Sequence, residues 1–169
     1  MAPVKPAPRR RWRRVAVEAA VVVAVFFGLS AWNSRNAISG PAPAVEGVSL
    51  TGQPLSLAAL GGEATLVHFW ATWCGVCSAE KGTIERLAGG RRIITVAEDS
   101  GTAAQLTAYM KREGLTFPVL IDDGRLARAY GVSAYPTTFV VGKSGLIRFA
   151  EVGYSTELGL RARLWLAGL

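Results

Sequence analysis

The stretch LVHFWATWCGVC, residues 66–77, contains both cysteines of this 169-residue chain and spaces them as Cys-x-x-Cys. The largely apolar run 66–70 predicts a buried strand, and the residues after the second cysteine predict a helix over 78–87. A strand that leads directly into a helix places Cys74 at the helix N-terminus, where unpaired backbone N–H groups and the helix dipole favour a negative charge. A thiolate is such an anion and is the reactive form of cysteine. Because Cys77 lies one turn further on, the stretch predicts a reversible dithiol, with Cys74 as nucleophile and Cys77 as resolving thiol.

Two other roles for a cysteine pair fit this chain less well. A permanent structural disulfide would close a loop of only four residues, and so short a loop restricts the unfolded chain little. A structural zinc site needs four ligands, and two cysteines with one histidine do not supply them without carboxylates. We therefore predict no metal site, and the only redox group expected is the disulfide Cys74–Cys77 itself.

Beyond the dithiol, strand patterns alternate with helix patterns, and the chain ends in a two-stranded hairpin followed by a helix. This order predicts an α/β fold with a mixed central sheet flanked by helices. The predicted elements are a short hairpin over 48–50 and 55–57, strands over 65–70, 92–98, 117–121, 137–141 and 146–152, and helices over 78–87, 102–113, 124–130 and from Ser155 or Thr156 to Leu166.

The segment FWATWCGVC (69–77) closely resembles the active-site segment of thioredoxin-fold proteins, in particular the TlpA/ResA branch of membrane-anchored thiol–disulfide oxidoreductases. Glu80, three residues after the second cysteine, and the run YPTTF at 135–139 carry the resemblance further. The closing run 152–166 looks most like the ScsD-like protein disulfide oxidoreductases. The resemblance covers the chain from about Val45 onward. It implies a thioredoxin-like fold, disulfide exchange with protein thiol or disulfide clients, and a membrane redox partner.

The resemblance also implies which residues shape the site. Pro136 takes the position of a cis-proline loop that faces the dithiol and docks the client, with Tyr135 before it and Trp73 flanking the cysteines. A cis X–Pro bond leaves the backbone groups of the preceding residue free to pair with an extended peptide. The family commonly has an acid at the position of Glu80, which is a candidate for exchanging a proton with Cys77 or for tuning the pair electrostatically. The alternative for Glu80 is a solvated helix charge.

The single histidine departs from the family pattern. His68 stands where thioredoxins have a buried acid and many TlpA-like proteins an asparagine. Beneath the dithiol it would relay a proton to Cys77 or, when charged, stabilise a thiolate. A histidine in a central strand is more often a core residue with a satisfied hydrogen bond. His68 is therefore a candidate proton relay, with the core role as the alternative.

The N-terminal segment differs from the rest of the chain in charge and hydropathy. Of a formal net charge of +7, residues 1–32 carry six basic side chains against Glu18, whereas the remainder has 13 basic and 11 acidic side chains. The charge is therefore concentrated in the tail, and no nucleic-acid partner is expected. Five arginines precede an apolar run at 15–32, which as a helix would rise about 27 Å and cross the hydrocarbon core of a bilayer.

The positive-inside rule orients such a segment with its arginines in the cytoplasm. We therefore predict a single-pass protein of the bacterial inner membrane whose catalytic domain faces the periplasm. A cleaved signal peptide with a soluble periplasmic domain is the alternative. The predicted parts are a basic cytoplasmic tail (1–14), a transmembrane anchor (15–32), a linker (33–46) and a thioredoxin-like domain (47–169).

A function of a different class fits the same fold. Thioredoxin-fold copper-binding or copper-delivery proteins of the Sco type pair Cys-x-x-x-Cys with a distant histidine on a loop. Here the spacing is shorter and His68 falls in a predicted strand. A peroxiredoxin fits less well, because Ala71 occupies the threonine position of its Thr-x-x-Cys motif. The oxidoreductase is favoured, and Gly75-Val76 between the cysteines does not determine in which direction electrons flow.

Overall fold

The computed structural model of the protein describes residues 38–169, together with six separate positions between 12 and 21. Apart from those six positions, the predicted tail (1–14), the predicted anchor (15–32) and the start of the predicted linker (33–46) lie outside the described residues. Within the described part of the chain, no helix combines the length and the apolar character that crossing a membrane requires.

Residues 38–169 form a mixed sheet covered by helices. Six strands are joined in the order β1-β8-β7-β4-β5-β6, and β2 and β3 form a separate hairpin. The strands β4, β5 and β6 run parallel, whereas β7, β8 and β1 are antiparallel to their neighbours. The strands are β1 (Gly40–Pro41), β2 (Glu46–Val48), β3 (Pro54–Ser56), β4 (Thr65–Trp70), β5 (Arg92–Glu98), β6 (Val119–Asp122), β7 (Thr137–Val141) and β8 (Leu146–Val152). The helices are α1 (Gly75–Ala88), α2 (Ala103–Glu113), α3 (Arg125–Ala129) and α4 (Glu157–Ala167), with a 3₁₀ helix at Ala58–Leu60. The predicted fold class is confirmed for this domain.

The central strand β4 is buried on both faces, which explains why its sequence is nearly continuous in apolar residues. Leu66 and Trp70 join the core beneath α1, α2 and α4. Val67 and Phe69 join the core on the opposite face, under α3 and the N-terminal strands. Because successive side chains of a strand point to opposite faces, His68 lies on the same face as Leu66 and Trp70. The histidine is thus on the side of the sheet that α1 covers.

The helix termini follow the capping signals of the sequence. Cys74 is the N-cap of α1, so the helix begins at the dithiol, three residues before its predicted start. In α2, the Thr102 hydroxyl accepts from the Gln105 N–H and the Gln105 side chain accepts from the Thr102 N–H, which is a capping box. The left-handed Gly114 ends α2 at Glu113, which agrees with the predicted end of this helix. Thr156 caps α4.

The described part of the predicted linker packs on the domain. Gly40 and Pro41 pair with the start of β8 at the edge of the sheet, where a proline costs no ladder hydrogen bond. Val45 is fully buried in the core on the α3 face, and the Tyr130 hydroxyl donates to the Pro43 carbonyl at 2.9 Å. Proline and glycine favour a linker locally, but burial of Val45 attaches this segment to the sheet. The described residues 40–45, which lie before the predicted domain start at 47, therefore pack on the domain.

Two strands are displaced by about two residues from their predicted positions. The hairpin strand β2 ends at Val48 because Ser49 closes the turn: its N–H donates to the Gln53 carbonyl at 2.8 Å, and its hydroxyl accepts from the Gln53 N–H at 3.1 Å. The strand β6 begins at Val119, after Pro118, which has no N–H to donate to a ladder.

Candidate functional site

The two cysteines form a disulfide at the N-terminus of α1, with their Cα atoms 5.2 Å apart. The Cys74 sulfur accepts the backbone N–H of Cys77 at 3.1 Å. This amide belongs to the first turn of the helix, where N–H groups have no partner within the helix. After reduction, the same N–H and the helix dipole would stabilise a Cys74 thiolate. The geometry therefore supports Cys74 as the nucleophile, and Cys74 is also the more exposed of the two residues, at 8% against 4%.

The loop before β7 lies directly against the dithiol. Its Tyr135–Pro136 peptide bond is cis, as the resemblance implied for Pro136. The Cys74 sulfur lies 3.5 Å from the Tyr135 carbonyl oxygen. The Pro136 carbonyl accepts from the Gly153 N–H at 2.8 Å, which ties the loop to the end of β8. The backbone of residue 135 is thus held beside the reactive sulfur, 61 residues away along the chain.

An exposed aromatic rim borders the disulfide. Trp73 is 62% exposed, and its ring packs edge-on against the Tyr135 ring with centroids 5.8 Å apart. Its indole N–H donates to the Asp99 carbonyl at 2.9 Å, which fixes the orientation of the ring. Val76, between the cysteines, is also exposed. The structure therefore brings Trp73, Tyr135 and Pro136 together around the cysteines, as the resemblance implied.

The loop after β5 supports the site and was not predicted from the sequence. The Ser100 hydroxyl accepts the Thr72 N–H at 3.1 Å and donates to the Glu98 carbonyl at 2.9 Å. Asp99 adopts a positive φ of 46° and presents its carbonyl to Trp73. One topological signal could have pointed to this loop: parallel strands such as β4 and β5 end at the same edge of a sheet, so the residues that follow β5 lie near those that follow β4. The turn-forming run Asp99-Ser100-Gly101 marks that edge.

Glu80 is fully buried in α1, one turn beyond Cys77. One carboxyl oxygen accepts the Ser155 N–H at 3.2 Å, and the other has no hydrogen-bond partner among the residues that the structure describes. Burial raises the pKa of Glu80 to about 7. The hydrogen bond from the Ser155 N–H acts in the opposite direction, and the nearby charge of Glu151 raises the pKa further. The burial contradicts the alternative of a solvated helix charge. The side chain is instead a buried carboxyl group that titrates near neutral pH.

His68 is buried beneath the helix layer, with its Nδ1 2.9 Å from the Thr138 hydroxyl on the neighbouring strand β7. Burial lowers the pKa of His68 to about 3. The imidazole is therefore neutral at pH 7, and the charged form that would stabilise a thiolate electrostatically is disfavoured. A neutral ring bonded to Thr138 is the arrangement expected of a core histidine.

Because His68 is neutral in the folded protein, we expect the free energy of unfolding to depend on pH. The unfolded side chain binds a proton near pH 6.5 and the folded one near pH 3, so the unfolded state holds more protons between these values. The free energy of unfolding therefore falls as the pH is lowered through this window, by about 5 kcal/mol in total. In urea titrations of the oxidised protein between pH 3 and 7, we expect the free energy of unfolding of His68→Asn not to show this decrease.

The control for this prediction is Thr138→Val, which removes the hydrogen-bond partner and leaves the imidazole buried. It should keep the acid dependence of the parent. A His68→Asn curve that falls in parallel with that of the parent would show that another group carries the effect.

Metal ligation has little support in the described part of the chain. Between residues 38 and 169, no three histidine, cysteine, aspartate or glutamate side chains are grouped so that they could hold a metal ion. The ring of His68 is buried and bonded to Thr138, rather than on a loop facing the cysteines. The ligand arrangement of a Sco-type copper protein is thus not seen among these residues.

Comparisons with known proteins agree on a family of thioredoxin-like proteins. Residues 38–150 match the model of the AhpC/TSA family. The chain is similar to the thioredoxin-like protein YneN of Bacillus subtilis, with 29% identity over 86% of this chain and 95% of the relative. It is similar to the thiol-disulfide oxidoreductase ResA of Halalkalibacterium halodurans, with 31% identity over 88% of this chain and 90% of the relative. A thiol:disulfide interchange protein of the thioredoxin family from Chlorobium tepidum has a similar fold, with a TM-score of 0.70 and 29% identity over 79% of this chain and 99% of that one.

Proposed function

The chain belongs to the AhpC/TSA family and is a thiol–disulfide oxidoreductase with a thioredoxin-like fold, and from this premise we propose that it exchanges disulfides with periplasmic proteins through Cys74 and Cys77. The observation that carries the proposal is the disulfide at the N-terminus of α1, which lies beside the cis Tyr135–Pro136 loop. The nearer kinship of 152–166 to the ScsD-like proteins stays a prediction.

The exchange proceeds in two steps. In the reducing direction, the Cys74 thiolate attacks one sulfur of a client disulfide, which forms a mixed disulfide and releases the other client sulfur as a thiolate. The Cys77 thiol then loses its proton and attacks the Cys74 sulfur, which releases the second client thiolate and forms the Cys74–Cys77 disulfide. Two electrons pass to the client. The oxidising direction reverses these steps, and a membrane redox partner restores the starting form.

Glu80 is the proposed proton acceptor for Cys77. The two residues lie one helical turn apart on α1, and side chains at this spacing share a face. A carboxyl group with a pKa of about 7 suits proton exchange near neutral pH. The unpartnered carboxyl oxygen leaves one acceptor free among the described residues. His68 is the second candidate relay, but burial lowers its pKa to about 3, so it is a weaker proton acceptor near neutral pH than Glu80.

The client is proposed to dock as an extended segment beside the cis-proline loop. The backbone of residue 135 is within 3.5 Å of the Cys74 sulfur, so a client strand that pairs there would bring its own sulfur to Cys74. Trp73 and Val76 are exposed next to the cysteines in the chain and offer apolar contacts to a client. Docking by backbone groups with few side-chain contacts suits an enzyme that serves several clients.

The membrane placement has a direct test, because Cys74 and Cys77 are the only cysteines of the full chain. In intact spheroplasts treated with a mild reductant, a membrane-impermeant maleimide should label the protein, since the domain faces outward. A cytoplasmic thiol protein serves as the unlabelled control. Labelling that requires lysis would contradict the orientation. Resistance of the chain to alkaline carbonate extraction is expected for the anchor at 15–32, whereas release into the supernatant would favour a cleaved signal peptide.

A further inference from the structure

The end of the sheet opposite the dithiol carries a surface with its own chemistry. The dithiol follows the C-terminal end of β4. At the other end of the sheet lie the start of β5, the turn that joins β7 to β8, and the last turn of α4. Arg91, Lys143, Trp165 and Leu169 line one groove there. We call this the basal surface and define it by these four residues and Arg148.

The basal surface is basic. Arg91, Lys143 and Arg148 are exposed, and none of them has a carboxylate within salt-bridge distance among the residues that the structure describes. The neighbouring Arg92 is neutralised by Glu63 at 2.7 Å. The Arg148 side chain runs beside Gly142, next to the Ala167 carbonyl at the end of α4. Three uncompensated positive charges therefore surround the end of this helix.

The same surface exposes large apolar side chains between the charges. Trp165 is 62% exposed and Leu169 is 81% exposed. Tryptophan favours the headgroup region of a bilayer because its ring is apolar and its N–H is polar. Basic side chains interleaved with tryptophan and leucine are typical of surfaces that lie on anionic lipid. An interface between two copies of the chain would bring these like charges together, and the cores of such interfaces are depleted of charge.

The N-terminal segment reaches the domain near this surface. Gly40 pairs with Ile147 in the first half of β8, and the Ala42 N–H donates to the Gly145 carbonyl at 2.9 Å, within the turn that carries Lys143. Between the end of the apolar run at residue 32 and Gly40 there is room for at most about 25 Å of extended chain. A tether this short keeps the domain close to the bilayer.

We infer that the basal surface lies on the anionic phospholipid headgroups of the membrane, so that Cys74 faces away from the bilayer. The inference rests on the proposed anchoring of residues 15–32, which holds the domain at high local concentration above the lipid. Docking through the basal surface leaves the Tyr135–Pro136 loop and Trp73 open to clients. It also limits the orientations in which a membrane redox partner meets the dithiol.

The test uses the full chain with Cys74→Ser and Cys77→Ser, and a single spin-labelled cysteine. The probe position is Leu169→Cys on the basal surface. The matched control is Leu158→Cys, which is 79% exposed against 81% for Leu169 and lies at the opposite end of α4, about 16 Å away along the helix axis. In vesicles of phosphatidylglycerol and phosphatidylcholine, we expect the label at 169 to be shielded from an aqueous nickel chelate and accessible to oxygen. The label at 158 should stay in water.

The charge dependence provides the second measurement. Each basic side chain at an anionic surface strengthens binding about fivefold. Arg91→Gln combined with Lys143→Gln should therefore lower the ratio of docked to undocked domain about 25-fold. Replacing the anionic vesicles with vesicles of phosphatidylcholine alone should lower this ratio by as much or more.

The outcomes separate the inference from the anchoring. If the chain floats with the vesicles while its label at 169 remains in water, the inference that the basal surface docks on lipid is contradicted and the proposed anchor stands. A chain that does not float with vesicles would overturn both. Short distances between labels at 169 on two chains, independent of lipid charge, would assign the surface to contact between copies and overturn the lipid inference.

Discussion

Cys77→Ser is expected to turn this protein into a trap that accumulates mixed disulfides with its clients through Cys74. The variant retains the sulfur that the first turn of α1 stabilises, at 3.1 Å from the backbone N–H of residue 77, so attack on the client still occurs. It lacks the thiol that would release the client. Cys74→Ser removes the nucleophile itself, and we expect its disulfide exchange to fall by a factor on the order of 10³ or more.

The measurement is separation of trapped complexes on non-reducing gels, followed by mass spectrometry of the cysteine joined to the client. The double variant Cys74→Ser with Cys77→Ser is the blank for nonspecific adducts. Both single variants lose the same disulfide, so its loss does not distinguish them. If Cys74→Ser traps as many clients as Cys77→Ser, the assignment of the nucleophile is wrong.

Glu80→Gln is expected to flatten the pH dependence of both stability and catalysis around neutrality. The folded pKa of Glu80, about 7, lies above its ordinary value of 4.5, so the folded state binds more protons between these values. The stabilisation is complete below pH 4.5 and is lost as the pH rises through 7. It amounts to about 3 kcal/mol. Glutamine keeps an acceptor for the Ser155 N–H but does not ionise, so the free energy of unfolding of the variant should not decline in this window.

The catalytic part of this prediction concerns the resolving step. If Glu80 takes the proton of Cys77, the release of a preformed mixed disulfide should slow about 100-fold in Glu80→Gln, and its rate should lose the inflection near pH 7 that Glu80 gives the parent. Stopped-flow measurement of client release between pH 5 and 8.5 reports this rate. Glu46→Gln, an exposed change on the hairpin, controls for the loss of one carboxylate.

These two readouts have distinct meanings. A variant whose stability loses its decline while its release rate keeps the parental inflection would show that Glu80 is a buried structural carboxyl group and not the proton acceptor. His68→Asn in the same assay tests the second candidate relay. His68 acts on stability in the opposite direction, since its stabilisation is lost as the pH falls from 6.5 toward 3.

Most of the secondary structure could be predicted because its signals are local. The capping box at Thr102 and Gln105, the left-handed Gly114 and the alternation of strands with helices act over a few residues. The packing of the described segment 38–46 was not predicted for the same reason. Its proline and glycine residues are typical of a linker locally, whereas Val45 is drawn into a core formed by residues far along the chain.

The partners of the site could not be predicted in this way. Ser155 bonds Glu80 across 75 positions and Thr138 bonds His68 across 70. The contact of Ser100 with Thr72 spans 28. Serine and threonine are common throughout the chain, and nothing in their local sequence marks these as the ones that reach the dithiol side of the sheet.

The sequence by itself determined the chemistry of this protein: a Cys-x-x-Cys at the junction of a strand and a helix, with the nucleophile at the helix N-terminus. That follows because spacing, capping and the helix dipole depend on neighbours within one turn. Only the tertiary structure decided the charge states around the dithiol. Glu80 became a carboxyl group that titrates near pH 7, and His68 became a neutral ring, because desolvation depends on which strands and helices cover a side chain.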